Sequence, residues 1–106
     1  MLKARKEGLP ESKVEAYLVK EVKKLGGVAE KFTSPARRSV PDRVITLPNL
    51  PVFFIECKAT GEKPTDAQLR DHNKRRDLGQ TVHVVDSYTS VDDVLMPYKE
   101  GVWLAK

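Results

Sequence analysis

Val52-Phe53-Phe54-Ile55-Glu56-Cys57-Lys58 decides how the rest of the chain reads. Its aromatic and branched residues, set behind the turn-forming Pro48-Asn49-Leu50-Pro51, have the character of a strand at the centre of a sheet. The run closes on a carboxylate and an ammonium two residues apart, which share one face of a strand. Burying such a carboxylate unpaired is costly. Residues 43–47 read as the other arm of a hairpin, and Pro41-Asp42 opens it. An Asp at one strand's start and a Glu-x-Lys at its neighbour's end bring two carboxylates and an ammonium within a few ångströms. Mg²⁺ and Mn²⁺ prefer hard oxygen donors, so Asp42, Glu56 and the Cys57 carbonyl suit either ion and leave places for water and phosphate. That is the outline of a metal-dependent phosphodiesterase site, with Lys58 to hold or deprotonate the attacking water. Plainer roles exist for the same residues. Asp42 is also a common turn residue after proline, and Glu56 with Lys58 is also a simple ion pair.

Outward from this centre the pattern is α-β-β-β-α-β-α. In residues 11–25, Val14, Tyr17, Leu18, Val22 and Leu25 recur at helical spacing, and Gly26-Gly27 provides the stop. Residues 28–32 read as a short strand and residues 33–40 as an exposed loop. Thr65 and Gln68 form a capping box for a helix that ends near Leu78-Gly79. Residues 81–85 read as a strand and residues 90–95 as a short helix capped by Ser90. Residues 101–105 add a strand or dock as a tail. The order implies a mixed sheet flanked by helices, an α/β fold.

The chain has 106 residues, enough for one domain, with residues 1–10 as a mobile basic arm and residues 11–106 as the domain. Its net charge of +4 and its 32% of charged residues suit a protein drawn to a polyanion. The lone Cys57 excludes an internal disulfide framework and points to a reducing cytoplasm. No apolar stretch has the length of a membrane span, and the charged start lacks the apolar region of a signal peptide.

Lys31-Phe32-Thr33-Ser34-Pro35, Val40-Pro41-Asp42-Arg43, Phe54-Ile55-Glu56-Cys57-Lys58, Thr65-Asp66-Ala67-Gln68 and Leu78-Gly79 occur in the order and on the elements found in one group of nucleases. The chain resembles the PD-(D/E)xK superfamily, and within it the small stand-alone phage and bacterial members of the VRR-NUC family. The resemblance covers residues 11–95. It implies a restriction-endonuclease-like core and a metal-dependent, structure-selective DNA endonuclease that hydrolyses phosphodiesters with metal-activated water. Its small members resemble Holliday junction resolvases, so the implied partner is branched DNA and the implied assembly a homodimer, in a bacterial or phage-infected cell. The rivals are a monomeric flap or single-strand nuclease and a non-catalytic DNA-binding module.

The resemblance assigns catalysis to Asp42, Glu56, Lys58 and Gln68, and metal binding to Asp42, Glu56 and the Cys57 carbonyl, with the Cys57 thiol turned to the core. It also places an acid on the first helix. Glu11 and Glu15 both qualify, one turn apart on one face. Glu11 fits the helical pattern slightly better, while Glu15 also makes a capping box with Ser12. Gln68 reads equally as a site residue and as a cap. Arg37, Arg38, Arg43, Lys63, Arg70 and Lys74 are the candidate phosphate contacts, with Arg43 also suited to pairing a neighbouring carboxylate. His72 and His83 read as packed or solvent-facing residues. Tyr98 and Trp103 read as core or dimer contacts.

Overall fold

The computed structural model describes residues 8–99. Helix α1 (Glu11–Lys24) leads to strands β1 (Val28–Lys31), β2 (Arg43–Thr46) and β3 (Phe53–Cys57). Helix α2 (Asp66–Asp77), strand β4 (Val82–Val85) and helix α3 (Tyr88–Lys99) follow. The sheet runs β1-β2-β3-β4, with the β1–β2 and β2–β3 pairs antiparallel and the β3–β4 pair parallel. It is the mixed sheet flanked by helices that the sequence implies. Every residue of β3 is buried, as a strand covered on both faces must be. The parallel β3–β4 pair requires a crossover, and α2 supplies it.

The two faces of the sheet are covered by different chemistry. On one face Val14, Leu18 and Val22 of α1 meet Ile45, Phe53, Ile55 and Cys57 of the strands and Val91 and Leu95 of α3. Each such side chain, fully removed from water, contributes about 1.5–3 kcal/mol. Tyr98 belongs to this layer, stacked on Phe53 with centroids 5.3 Å apart. Glu21 is buried at its edge and bonded by Lys24 and Lys99, which lowers its pKa. On the other face α2 buries only Asp71 and His72. That helix is held largely by polar groups, among them Arg76, whose Nη2 donates to the Val82 carbonyl at 2.7 Å.

Local signals explain the helix ends. After α1, Gly26 takes a left-handed φ of 86°, Gly26 N–H donates to the Lys23 carbonyl and Gly27 N–H to that of Val22. This is a Schellman closure, and Gly79 with Gln80 repeats it after α2. The Thr65–Gln68 capping box forms with both bonds present. Two expected caps do not form. Helix α1 begins one residue before Ser12, with Pro10 at its cap position, so Ser12 and Glu15 make no capping box. Helix α3 begins at Tyr88, because Ser87 and Ser90 exchange side-chain bonds with each other's backbone N–H at 3.0 Å; the cap is Ser87, and Ser90 lies inside the helix. Leu9, assigned by sequence to the arm, is tied to Thr60 by two bonds, Leu9 N–H to Thr60 Oγ1 and Thr60 N–H to the Leu9 carbonyl. The rest of the arm, the expected strand or tail at residues 101–105, and Trp103 lie outside the described residues. Among the described residues no helix is long and apolar enough to cross a membrane.

Gly27 is required for a different reason from Gly26. A Cβ there would run into the Thr46 carbonyl oxygen and the Leu47 side chain, where α1 turns into β1 against β2. Gly27→Ala is therefore expected to destabilise the protein by about 1–3 kcal/mol, read as a lower urea midpoint with an unchanged slope.

Candidate active site

The β2–β3 pairing places Asp42 beside the end of β3, since Arg43 is registered with Ile55. There Asp42 Oδ2 accepts the Cys57 N–H at 2.8 Å, which anchors the carboxylate and leaves its second oxygen for other partners. Glu56 lies on the α2 face of β3 and is 1% exposed. Its Oε2 accepts from Gln68 Nε2 at 3.1 Å and lies 3.6 Å from Lys58 Nζ. Its Oε1 has no hydrogen-bond partner. Burial raises the Glu56 pKa well above the usual carboxylate range, and the nearby Asp42 carboxylate raises it further, against the pull of Lys58.

Gln68 caps α2 and also touches Glu56. Its Oε1 accepts the Thr65 N–H at 2.9 Å while its Nε2 donates to Glu56 Oε2, so one side chain starts α2 and reaches the carboxylate. An amide can do both because it has an acceptor and a donor end. Cys57 lies fully buried in the apolar layer, its thiol pKa raised by burial, while its backbone stays at the Asp42–Glu56 junction.

The structure separates Glu11 from Glu15. Glu15 Oε2 accepts from Arg43 Nε at 2.8 Å and lies 3.7 Å from Lys31 Nζ. Glu11 lies within electrostatic reach of Asp42 and Lys58. Desolvation raises its pKa, Asp42 raises it further, and Lys58 opposes both. The Leu9–Thr60 tie explains this placement, because it fastens the entrance of α1 to the loop after β3.

The expected phosphate contacts divide in the same way. Arg43 lies on the α1 side of the sheet, bonded to Glu15 and to the Ala29 carbonyl, so it links helix to strand. Arg37 pairs with the buried Asp71 at 3.1 Å, and Arg75 bonds the same carboxylate at 2.7 Å. Arg75 also lies over the rings of Phe32 and Phe54, 5.1 and 5.2 Å from their centroids. Asp71 thus anchors the loop before Asp42 to α2. Arg38, Lys63, Arg70 and Lys74 are exposed. Lys31, Arg37 and Arg38 line a cleft together with Asp42. His83 packs edge-on against Phe53, away from Glu56.

His72 was not singled out as a site residue by sequence. It is fully buried, with Nε2 3.6 Å from Glu56 Oε1. Burial and then the charge of Arg76 lower its pKa below the ordinary imidazole value. Its signal was the helical period: a residue four after Gln68 must face the same way.

Among the described residues, no three His, Cys, Asp or Glu side chains form a ligand cluster by themselves. Asp42 and Glu56 still fit a hard divalent ion, because both are oxygen donors and the buried Glu56 Oε1 lacks a hydrogen-bond partner. Such an ion keeps several positions for water and phosphate.

A mixed sheet with two carboxylates and a lysine converging at the β2–β3 junction, and helices on both faces, defines a restriction-endonuclease-like domain. Over 77 residues the chain is 56% identical to "Putative nuclease p44" of Acyrthosiphon pisum secondary endosymbiont phage 1, a match covering 73% of this chain and 83% of that protein. Its fold is similar to a solved structure described as a VRR_NUC domain, with a TM-score of 0.78 and 34% identity over 83% of this chain and 96% of that one. No protein-family model matches the chain. The chain belongs to the VRR-NUC family of nucleases.

The raised Glu56 pKa has a consequence for stability. Below the unfolded value both states are protonated and the group is neutral in its effect. Above it the folded state holds its proton more tightly, so ionisation costs stability as pH rises. In metal-free protein Glu56→Gln is expected to melt higher than the wild type at pH 8, by about 5 °C, with the gap closing toward pH 4. Thermal melts in a chelator across that range check the sign.

Proposed function

We propose that this protein is a Mg²⁺- or Mn²⁺-dependent DNA endonuclease that acts on branched DNA, four-way junctions foremost, as a homodimer in a bacterial or phage-infected cell. The observation that carries the reading is the convergence of Asp42, Glu56 and Lys58, with Glu56 Oε1 lacking a hydrogen-bond partner and Asp42 also lining the basic cleft. Asp42, Glu56 and the Cys57 carbonyl would hold the ion, with Glu11 as the first-helix acid beside them. When bound, the ion supplies Lewis-acid polarisation of the phosphoryl oxygen and a lowered pKa for the attacking water.

The chain's own groups do the rest. Lys58 is mostly buried, so its ammonium acts in a medium of reduced screening. It orients the attacking water and stabilises the charge that grows on the phosphoryl oxygens. Gln68 holds Glu56 in one orientation. Arg38 and Lys31 carry the phosphates that flank the scissile one through the cleft, while Lys63, Arg70 and Lys74 meet more distant backbone and make binding fall with salt. Arg37 takes part through the loop that it fastens to Asp71. Each copy of the domain carries one such site, and two opposed copies cut both strands of a junction.

Labelled four-way junction, flap, duplex and single-stranded DNA incubated with Mn²⁺ or Mg²⁺ test the reading. The wild type is expected to introduce paired nicks in the junction and to sediment as a dimer at micromolar concentration. Asp42→Asn keeps an acceptor for the Cys57 N–H, so it is expected to fold; it and Lys58→Ala are each expected to lose about 10²-fold or more of the cleavage rate. A monomer that cuts flaps would replace the junction assignment. A protein that binds DNA and cuts nothing with either metal would leave a binding module.

A further inference from the structure

Gln68 and His72 lie one turn apart on α2 and bracket the two oxygens of Glu56. Gln68 satisfies Oε2. Opposite Oε1 stands His72 Nε2, and neither atom has any hydrogen-bond partner; the Nδ1 of the same ring has none either. Glu56 and His72 are each at most 1% exposed. Leaving a buried polar atom without a partner is costly, so an imidazole at this position is a poor choice for packing alone. An aliphatic side chain of similar size would fill the space without that cost. The separation of 3.6 Å is longer than a hydrogen bond, and a closure of about 0.6 Å brings it into range.

We propose that His72 is a positioning residue for Glu56, its ring donating Nε2–H to one lone pair of Oε1 and leaving the other for the ion, so that Gln68 and His72 together clamp the carboxylate between them. The clamp fixes the side chain's torsions and aims the carboxylate toward Asp42 and Lys58. This deepens the metal-site reading above and rests on it for its functional consequence, but the bond between ring and carboxylate is a property of the metal-free protein too. Groups that orient a ligand from behind typically change metal affinity by 10–100-fold when removed. The remaining helix contacts do not depend on His72: Arg76 holds the Val82 carbonyl, and Asp71 holds Arg37 and Arg75.

Two measurements on the full chain test the proposal. In the first, Mn²⁺ binding without DNA is measured by calorimetry beside thermal melts for wild type, His72→Leu and His72→Gln. His72→Leu is expected to keep or raise the melting temperature while weakening Mn²⁺ by about tenfold or more, and His72→Gln, whose amide reaches about as far as Nε2, to recover most of the affinity. Wild-type affinity in His72→Leu, or an equal loss in both variants, would overturn the proposal. The second measurement needs neither metal nor a variant of His72. Long-range ¹⁵N spectra of the metal-free protein are expected to show the proton on Nε2 and a shift of its resonance in Glu56→Gln. A ring protonated on Nδ1, or a resonance indifferent to Glu56→Gln, would overturn it. Should the wild type bind no Mn²⁺ while the Nε2 proton responds to Glu56→Gln, the metal reading fails and the positioning role stands.

Discussion

A carboxylate buried in the middle of a sheet is the constraint around which this molecule is arranged. Glu56 is 1% exposed and sits in a strand covered on both faces, with a second carboxylate beside it. Neither burial nor the neighbouring Asp42 favours its charge. Lys58, Gln68 and the facing His72 are the groups that surround it, and each is placed by a different element or register. An apolar residue at position 56 would make a more comfortable core. The chain instead keeps an electrostatically expensive group at the spot where a divalent ion would relieve it, the pattern expected when function and stability compete for one site.

The two faces of the sheet divide these demands. Helices α1 and α3 cover one face with an aliphatic layer that contributes most of the apolar burial. Helix α2 covers the other with almost no apolar surface and docks through Glu56, the Val82 carbonyl and the Asp71 cluster. Its position is therefore tied to the site, since the same side chains that seat the helix surround the carboxylate. Asp71 extends the coupling to the loop before Asp42 through Arg37, and Arg75 adds contacts with Phe32 and Phe54. The nuclease face is a polar network, and partly satisfied networks of this kind are sensitive to the loss of any member.

Much of this was legible along the chain. The run of residues 52–58, the helical spacing of Val14, Leu18 and Val22, the glycines after both long helices and the Thr65–Gln68 box are signals carried within a few residues, and the corresponding elements formed with ends shifted by a residue or two. Pairings between distant segments were not legible. Arg43 read as a partner for a carboxylate or a phosphate, and the sequence did not say that the carboxylate is Glu15; Arg37 read as a phosphate contact and bonds Asp71; the α3 cap moved from Ser90 to Ser87 because two hydroxyls competed for one role. His72 had a local clue in its distance from Gln68, but a spacing says which residues share a face and not what that face meets.

By itself, then, the sequence determined the elements, their order, and the residue types that converge at the end of β3, because capping, turn chemistry and periodicity act between neighbours. Only the tertiary structure decided which charges are spent on one another and which remain for a substrate. It separated Glu11 from Glu15, withdrew Arg43 to the α1 side of the sheet, and set His72 against Glu56. The physical reason is that an ion pair or a buried hydrogen bond depends on distance in space, and that distance is set by how helices seat on the sheet rather than by separation along the chain.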